Sequence, residues 1–248
     1  MKFLGWDCAH KSLAHSYIEI DLTFSELRRI LDGYSGGDTV DPDAALKFLR
    51  DARAAVHGAF TFHTCNVVDL MPGKKLAEIK EIDRVKLLKK YLDGLPGINS
   101  KEIPHDTVVI IETQAGKFGN AGANRASNGV AQQLAMYYAD CNINFIDPKM
   151  KNKVSITDDL TLDAVHLKRI AGQAEKQSGT KRKLKIIGGK PDYDTRKLHS
   201  TLNFVEFVKR IGQEGVYSHV PKEFYDDLAD SFVQILAFIK HNKYLAGL

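Results

Sequence analysis

Four consecutive β-branched apolar residues, Val108-Val-Ile-Ile111, followed at once by the carboxylate of Glu112, constrain this chain more than any other stretch. The run has a polar approach (Pro104-His105-Asp106) and a glycine soon after it, the pattern of a strand buried on both faces. Glu112 is therefore expected where a central strand leaves its sheet. Ligands and catalytic groups of open α/β sheets collect at the carboxyl ends of strands, where side chains leave the core while the backbone is still held rigidly. A single glutamate at such an end is ordinarily just solvated. Two further acidic positions give it more weight.

The first is Asp7. Phe3-Leu-Gly-Trp6 is a short apolar run that ends in this aspartate, and Leu13 to Asp21 alternates enough to form a second strand, so a β-hairpin opens the domain. Asp7 then holds on the first strand the place that Glu112 holds on a later one. From Phe24 to Gly58 the spacing turns helical, with Leu27, Ile30 and Leu31 on one helix, Ala44, Ala45, Phe48 and Leu49 on another, and Ser35-Gly-Gly-Asp38 between them. Phe60 to Leu70 returns to strand. Lys75 to Leu92 reads as a surface helix with one apolar face.

After Glu112 come Gln114 and a glycine-rich loop, Ala115 to Gly122, that carries Lys117 and Phe118. Asn124 to Ala139 is the next helix, Ile143 to Ile146 another strand, and Asp147-Pro148 stops it. Tyr193 to Ile211 and Pro221 to Lys243 are the last helices. The second acidic position opens the final one, where Asp227 and Asp230 stand three apart and share a helix face. Acidic residues in a first turn are also favoured by the helix dipole alone. Yet Asp226, Asp227 and Asp230 crowd like charges beside the apolar stripe that starts at Leu228, which is tolerable where cations or solvent screen them.

Composition narrows the chemistry. The chain has 248 residues, enough for one well-buried α/β domain, with 44% hydrophobic and 27% charged residues, as in a soluble globular protein. No segment has the apolar length of a membrane span, and the amino terminus lacks a signal-peptide pattern, so an intracellular, soluble protein is expected. Cys8, Cys65 and Cys141 are too scattered for a zinc site and suit a reducing compartment. The formal charge of +4 permits nucleic-acid binding without requiring it. Basic residues cluster from Lys149 to Lys197, including Lys151, Lys181, Arg182 and Lys183; such a run is a solvated face or a polyanion-binding surface.

Asp7, Glu112, Asp227 and Asp230 together make four hard oxygen donors without histidine or cysteine, a set suited to Mg²⁺ or Mn²⁺ over zinc. Two such ions about 3.5 to 4 Å apart can activate water and stabilise the leaving oxygen in phosphodiester cleavage.

Phe3-Leu-Gly-Trp-Asp7, Ile110-Ile-Glu-Thr-Gln114 with the helix Gln132-Gln-Leu-Ala-Met-Tyr-Tyr138, and Asp226-Asp-Leu-Ala-Asp-Ser231 resemble the RuvC-type Holliday junction resolvases. The match is closest to the branch in poxviruses and other large DNA viruses, which shares the Ile-Glu-x-Gln signature. It covers the sheet core and the last helix. The resemblance implies a ribonuclease-H-like α/β fold, a mixed central sheet flanked by helices, in one domain over residues 1–248 with helical insertions at about 24–58 and 149–192. It implies a homodimer that resolves four-way DNA junctions by paired symmetric nicks with Mg²⁺ or Mn²⁺, two ions per site. Asp7, Glu112, Asp227 and Asp230 then correspond to the catalytic metal ligands, with Asp7 bridging the ions. Gln114 supports the end of the Glu112 strand, and Phe118 falls where an aromatic side chain approaches the junction centre. Lys197 matches a basic residue that faces the scissile phosphate, and is otherwise a plain surface lysine. Lys11 is a phosphate contact or a plain turn residue, and Lys117, Lys181, Arg182 and Lys183 complete the DNA-binding candidates.

One departure is Ala9, two residues after the first aspartate, where the family usually has glycine. The alternatives are a ribonuclease-H-like nuclease acting on other branched DNA or an RNA–DNA hybrid, and a non-catalytic junction-binding protein. A phosphotransferase of the actin and sugar-kinase kind ranks low, because Cys8-Ala-His-Lys11 stands where its glycine-rich phosphate loop belongs. A viral origin would put the protein in the cytoplasm or nucleus of an infected cell.

Overall fold

The structure, a computed structural model, describes residues 1–9, 12–23, 25–26, 58–75, 78, 80–113, 121–153, 186–187, 190–191, 197, 200–201, 204–205, 207–209 and 211–241. The opening hairpin forms as its alternation predicts. Strand β1 (Lys2–Cys8) pairs antiparallel with β2 (Ser12–Ile20), from Lys2 opposite Glu19 to Cys8 opposite Leu13. β3 (Phe60–Asp69) adds antiparallel to β2, with a register shift between Tyr17 and Ile18. On the other side of β1, β4 (Val108–Glu112) and β5 (Asn142–Ile146) run parallel to it. The order is β3-β2-β1-β4-β5, and β2 alone runs against the rest. This is a mixed sheet flanked by helices, the α/β architecture expected from the sequence.

Side-chain alternation sorts the central strands onto two cores. Leu4, Trp6 and Cys8 of β1 join Val109 and Ile111 of β4 on the face covered by α1 (Glu81–Asp93) and α2 (Ala121–Tyr137), through Leu88, Leu92, Val130 and Leu134. Phe3 of β1 and Val108 and Ile110 of β4 join Leu228, Phe232, Ile235 and Ile239 of α3 (Tyr225–His241) on the opposite face. Phe62, Phe204, Phe207 and Phe232 interlock there, with ring centroids 5.1–6.5 Å apart. By the same alternation, Asp7 and Glu112 point to the α3 face.

A close approach sets α3 on the sheet. A Cβ at Gly5 would lie 2.1 Å from the Ser231 carbonyl oxygen and 2.8 Å from Ile235 Cγ1, so only glycine lets the helix backbone come down on β1. Opposite Gly5, Ser16 of β2 meets Ser231 with hydroxyl oxygens 2.7 Å apart. Ser231 Oγ donates to the Leu228 carbonyl, which leaves Ser16 as the donor between them. The acidic first turn of α3 is thereby held over the ends of β1 and β4.

Some boundaries move. The helix expected from Lys75 begins at Glu81, and the described residues before it make turns instead: the Asp69 carboxylate accepts from the Met71 N–H, Gly73 has φ +75°, and the Glu78 carboxylate accepts from the Lys75 N–H. In the last helix, Lys222–Phe224 is a 3-10 turn before α3 proper. Of the first expected insertion only its two ends are described. Thr23 and Glu26 form a capping box, with Thr23 N–H to Glu26 Oε2 at 2.9 Å and Glu26 N–H to Thr23 Oγ1 at 3.3 Å, where helical residues begin. Within the second, β6 (Ile186–Ile187) and β7 (Lys190–Pro191) form a small antiparallel pair. No helix among the described residues is long and apolar enough to cross a membrane.

Candidate active site

The register of β1 on β4 pairs Trp6 with Ile111, so Asp7 and Glu112 are the next residues on adjacent parallel strands at one sheet edge. Both are buried, 7% and 2% exposed. Helix α3 brings Asp226, Asp227 and Asp230 to the same edge.

The carboxylates meet two lysines. Lys151 lies on a 3-10 turn, Pro148–Lys153, directly after β5, whose carboxyl end opens at the same edge as β4. Its Nζ is 2.5 Å from Glu112 Oε2, 2.9 Å from Asp230 Oδ2 and 3.8 Å from Asp7 Oδ1. Lys197 Nζ lies 2.8 Å from Asp226 Oδ2 and 3.4 Å from Asp227 Oδ1. Two hydroxyls complete the network: Ser12 donates to Asp227 Oδ2 at 3.0 Å and Ser200 to Asp230 Oδ1 at 3.1 Å.

Among the described residues, five carboxylates against two ammonium groups leave the cluster short of positive charge. Burial pushes the Asp7 carboxyl well above the usual carboxylate range, and the charge of Glu112 adds to it, while Lys151 opposes. Burial and then Asp226 raise Asp227, against Lys197 and Ser12. Burial works against the charge on Lys151, but Asp230, Asp7 and Glu112 together hold it well above its ordinary value. Cys8, buried next to Asp7 on the other face of β1, is pushed up by burial and then by the charges of Asp7 and Glu112.

The donor set is carboxylate oxygen from rigid elements, the chemistry that suits hard divalent cations, and Lys151 already places one cationic group among three of those carboxylates. Among the described residues no group of three or more His, Cys, Asp and Glu side chains is drawn together closely enough to hold a metal ion as it stands. The carboxylates are spaced around the ammonium instead.

Asp7, Glu112, Asp227, Asp230 and Lys197 thus fall into two neighbouring sets, Asp7, Glu112 and Asp230 about Lys151, and Asp227 with Asp226 about Lys197, which share helix α3 and act on each other through charge, Asp227 raising Asp7. Lys11, Gln114, Lys117, Phe118, Lys181, Arg182 and Lys183 lie outside the described residues. Sequence reading counted Lys151 only as one of a basic run and left Ser12, Ser200 and the pairing of Asp226 unassigned. The usable signal for Lys151 was its place just past β5: segments that leave neighbouring parallel strands at their carboxyl ends face one another.

No protein-family model matches the chain, and no curated protein does. Among solved structures, the chain is similar to the RuvC structure of Thermus thermophilus, with 13% identity over 86% of this chain and 98% of that one and a TM-score of 0.35.

Proposed function

We propose that this protein is a divalent-metal-dependent endonuclease that resolves four-way DNA junctions by paired nicks. The observation that carries this reading is the convergence of Asp7, Glu112, Asp227 and Asp230, from three separate elements, on one edge of a ribonuclease-H-like sheet. Isolated surface acids have no reason to be buried together, and desolvation makes such an arrangement costly unless cations meet it. Asp7, Glu112, Asp227 and Asp230 are the residues we assign to hold Mg²⁺ or Mn²⁺. When bound, two such ions supply an activated water and charge stabilisation at the leaving oxygen.

The chain's own residues do the positioning. β1 and β4 hold Asp7 and Glu112 at fixed separation, Ser12 and Ser200 orient Asp227 and Asp230 through hydrogen bonds, and Lys197 is assigned to the scissile phosphate. The junction substrate and the homodimer that would cut opposing strands are supported by the three-motif resemblance. The large-DNA-virus branch is supported by the Ile-Glu-x-Gln motif at Ile111 to Gln114 alone.

The test is cleavage of a labelled, immobile four-way junction against a linear duplex of the same arms, with and without Mg²⁺. Symmetric nicks on opposing strands of the junction alone, dependent on Mg²⁺, are expected. Equal cutting of both DNAs would retain the metal nuclease and reject the junction resolvase. Tight junction binding without cutting would move the protein to the non-catalytic class.

A further inference from the structure

We propose that Lys151 is an internal counter-ion that keeps the carboxylate cluster paired with itself, and that a divalent cation enters only as this ammonium withdraws. The inference rests on the assignment of those carboxylates as metal ligands and concerns how that site is loaded.

Lys151 is not a lysine at the rim of an acidic patch. Its side chain is 10% exposed, and its ammonium sits between Glu112 on β4 and Asp230 on α3, with Asp7 on β1 at 3.8 Å. Mg²⁺ binds carboxylate oxygens at about 2.0–2.1 Å and demands near-octahedral order, so carboxylates spread about an ammonium must close inward to hold it. The same oxygens cannot serve both cations: the ammonium at 2.5 and 2.9 Å already occupies the space between Glu112 and Asp230. Two cations side by side in a buried site also repel strongly.

The fold gives the lysine a way out. Its six-residue 3-10 turn at the end of β5 packs against α3, but the lysine stem itself is long and flexible. Asp7, Glu112 and Asp230 sit by contrast on strands and a helix whose apolar neighbours are fully buried. Exchange therefore moves the lysine side chain, not the carboxylates' backbone. The consequence is competition: Lys151 offsets like-charge repulsion when no divalent ion is bound, and weakens the site's affinity for one.

Amine acetylation by an N-hydroxysuccinimide ester, read residue by residue by mass spectrometry, reports the exchange in the intact protein. Mn²⁺ binding is followed in parallel by the paramagnetic signal of the free ion. Ca²⁺ or Mn²⁺ is expected to raise acetylation of Lys151 about tenfold, a coupling of ordinary size, and to leave the exposed Lys74 unchanged. In Lys151→Gln, Mn²⁺ affinity should rise and the thermal midpoint without divalent ions should fall. Mn²⁺ binding with Lys151 still shielded would overturn the exchange and leave the metal-nuclease assignment intact. Failure of Mn²⁺ to bind wild type or Lys151→Gln would overturn both.

Discussion

Glu112 shows how much one residue's surroundings decide. It ends a strand of β-branched residues, is 2% exposed, and meets the ammonium of Lys151 at 2.5 Å. Glu112→Gln or Asp7→Asn is expected to lower junction cleavage by more than about a hundredfold while junction binding survives. Cleavage at the normal rate by either variant, measured on the labelled junction, would remove both from the catalytic assignment. A second residue-scale prediction lies on the opposite face. His15 is fully buried against Trp6, with ring centroids 4.9 Å apart, and its Nε2 has no partner among the described residues. Burial, with a smaller push from His219, lowers its pKa from 6.5 to about 3. The unfolded chain thus takes up a proton that the folded chain refuses. The stability due to neutral His15 is complete above pH 6.5 and is lost as the pH falls toward 3, at about 1.4 kcal/mol per unit. Denaturant unfolding across this window should show that slope, and His15→Phe should flatten it.

Helix α3 is the element on which the site depends. Its stripe from Leu228 to Ile239 is buried against β1, β2 and β4, and the same helix carries Asp226, Asp227 and Asp230. Gly5 permits the contact, since any Cβ there meets the Ser231 carbonyl at 2.1 Å, and backbone cannot step aside as a side chain can. Gly5→Ala is expected to destabilise by about 1–3 kcal/mol or more and to lower cleavage as well, because lifting α3 displaces its aspartates from Asp7 and Glu112. Thermal unfolding and junction cleavage measured together test this; a loss of stability with normal cleavage would separate helix seating from site assembly. Such coupling is hidden from helical periodicity. The apolar repeat in Leu228 to Ile239 predicts a buried face, while the point of contact depends on a glycine more than 200 positions earlier in the chain.

For the whole molecule, the charge balance divides the labour between regions. In the proposed nuclease the carboxylate edge would repel DNA on its own, so phosphate contacts would come from elsewhere, and the basic stretch from Lys149 to Lys197 is the source the sequence offers. Replacing Lys181, Arg182 and Lys183 with Gln is expected to weaken junction binding and reduce the slope of log affinity against log salt by about 1 for each phosphate that is no longer neutralised. Binding isotherms at several salt concentrations measure this, and an unchanged slope would take these residues out of the interface. Divalent ions act on the same balance. Mg²⁺ at 100 times its dissociation constant should stabilise the folded protein by about 2.7 kcal/mol, read as a rise in the thermal midpoint that disappears on chelation.

The sequence alone determined the five strands of the main sheet and the helices α2 and α3, because burial on a sheet or helix leaves a period of 2.0 or 3.6 in the residues themselves. Val108 to Ile111 announced a central strand, and Asp7 and Glu112 were legible as strand-end carboxylates for the same local reason. The start of α1 was not, since inside the stretch with the helical pattern the Glu78 carboxylate accepts from the Lys75 N–H and closes a turn instead. Tertiary structure alone decided which groups meet. Lys151 and Glu112 are 39 residues apart, and Ser12 and Asp227 are 215 apart. Nothing in their spacing encodes either contact. Those contacts follow from the parallel register of β1, β4 and β5 and from the seating of α3 on Gly5, which together gather separate carboxylates and lysines at one edge of the sheet.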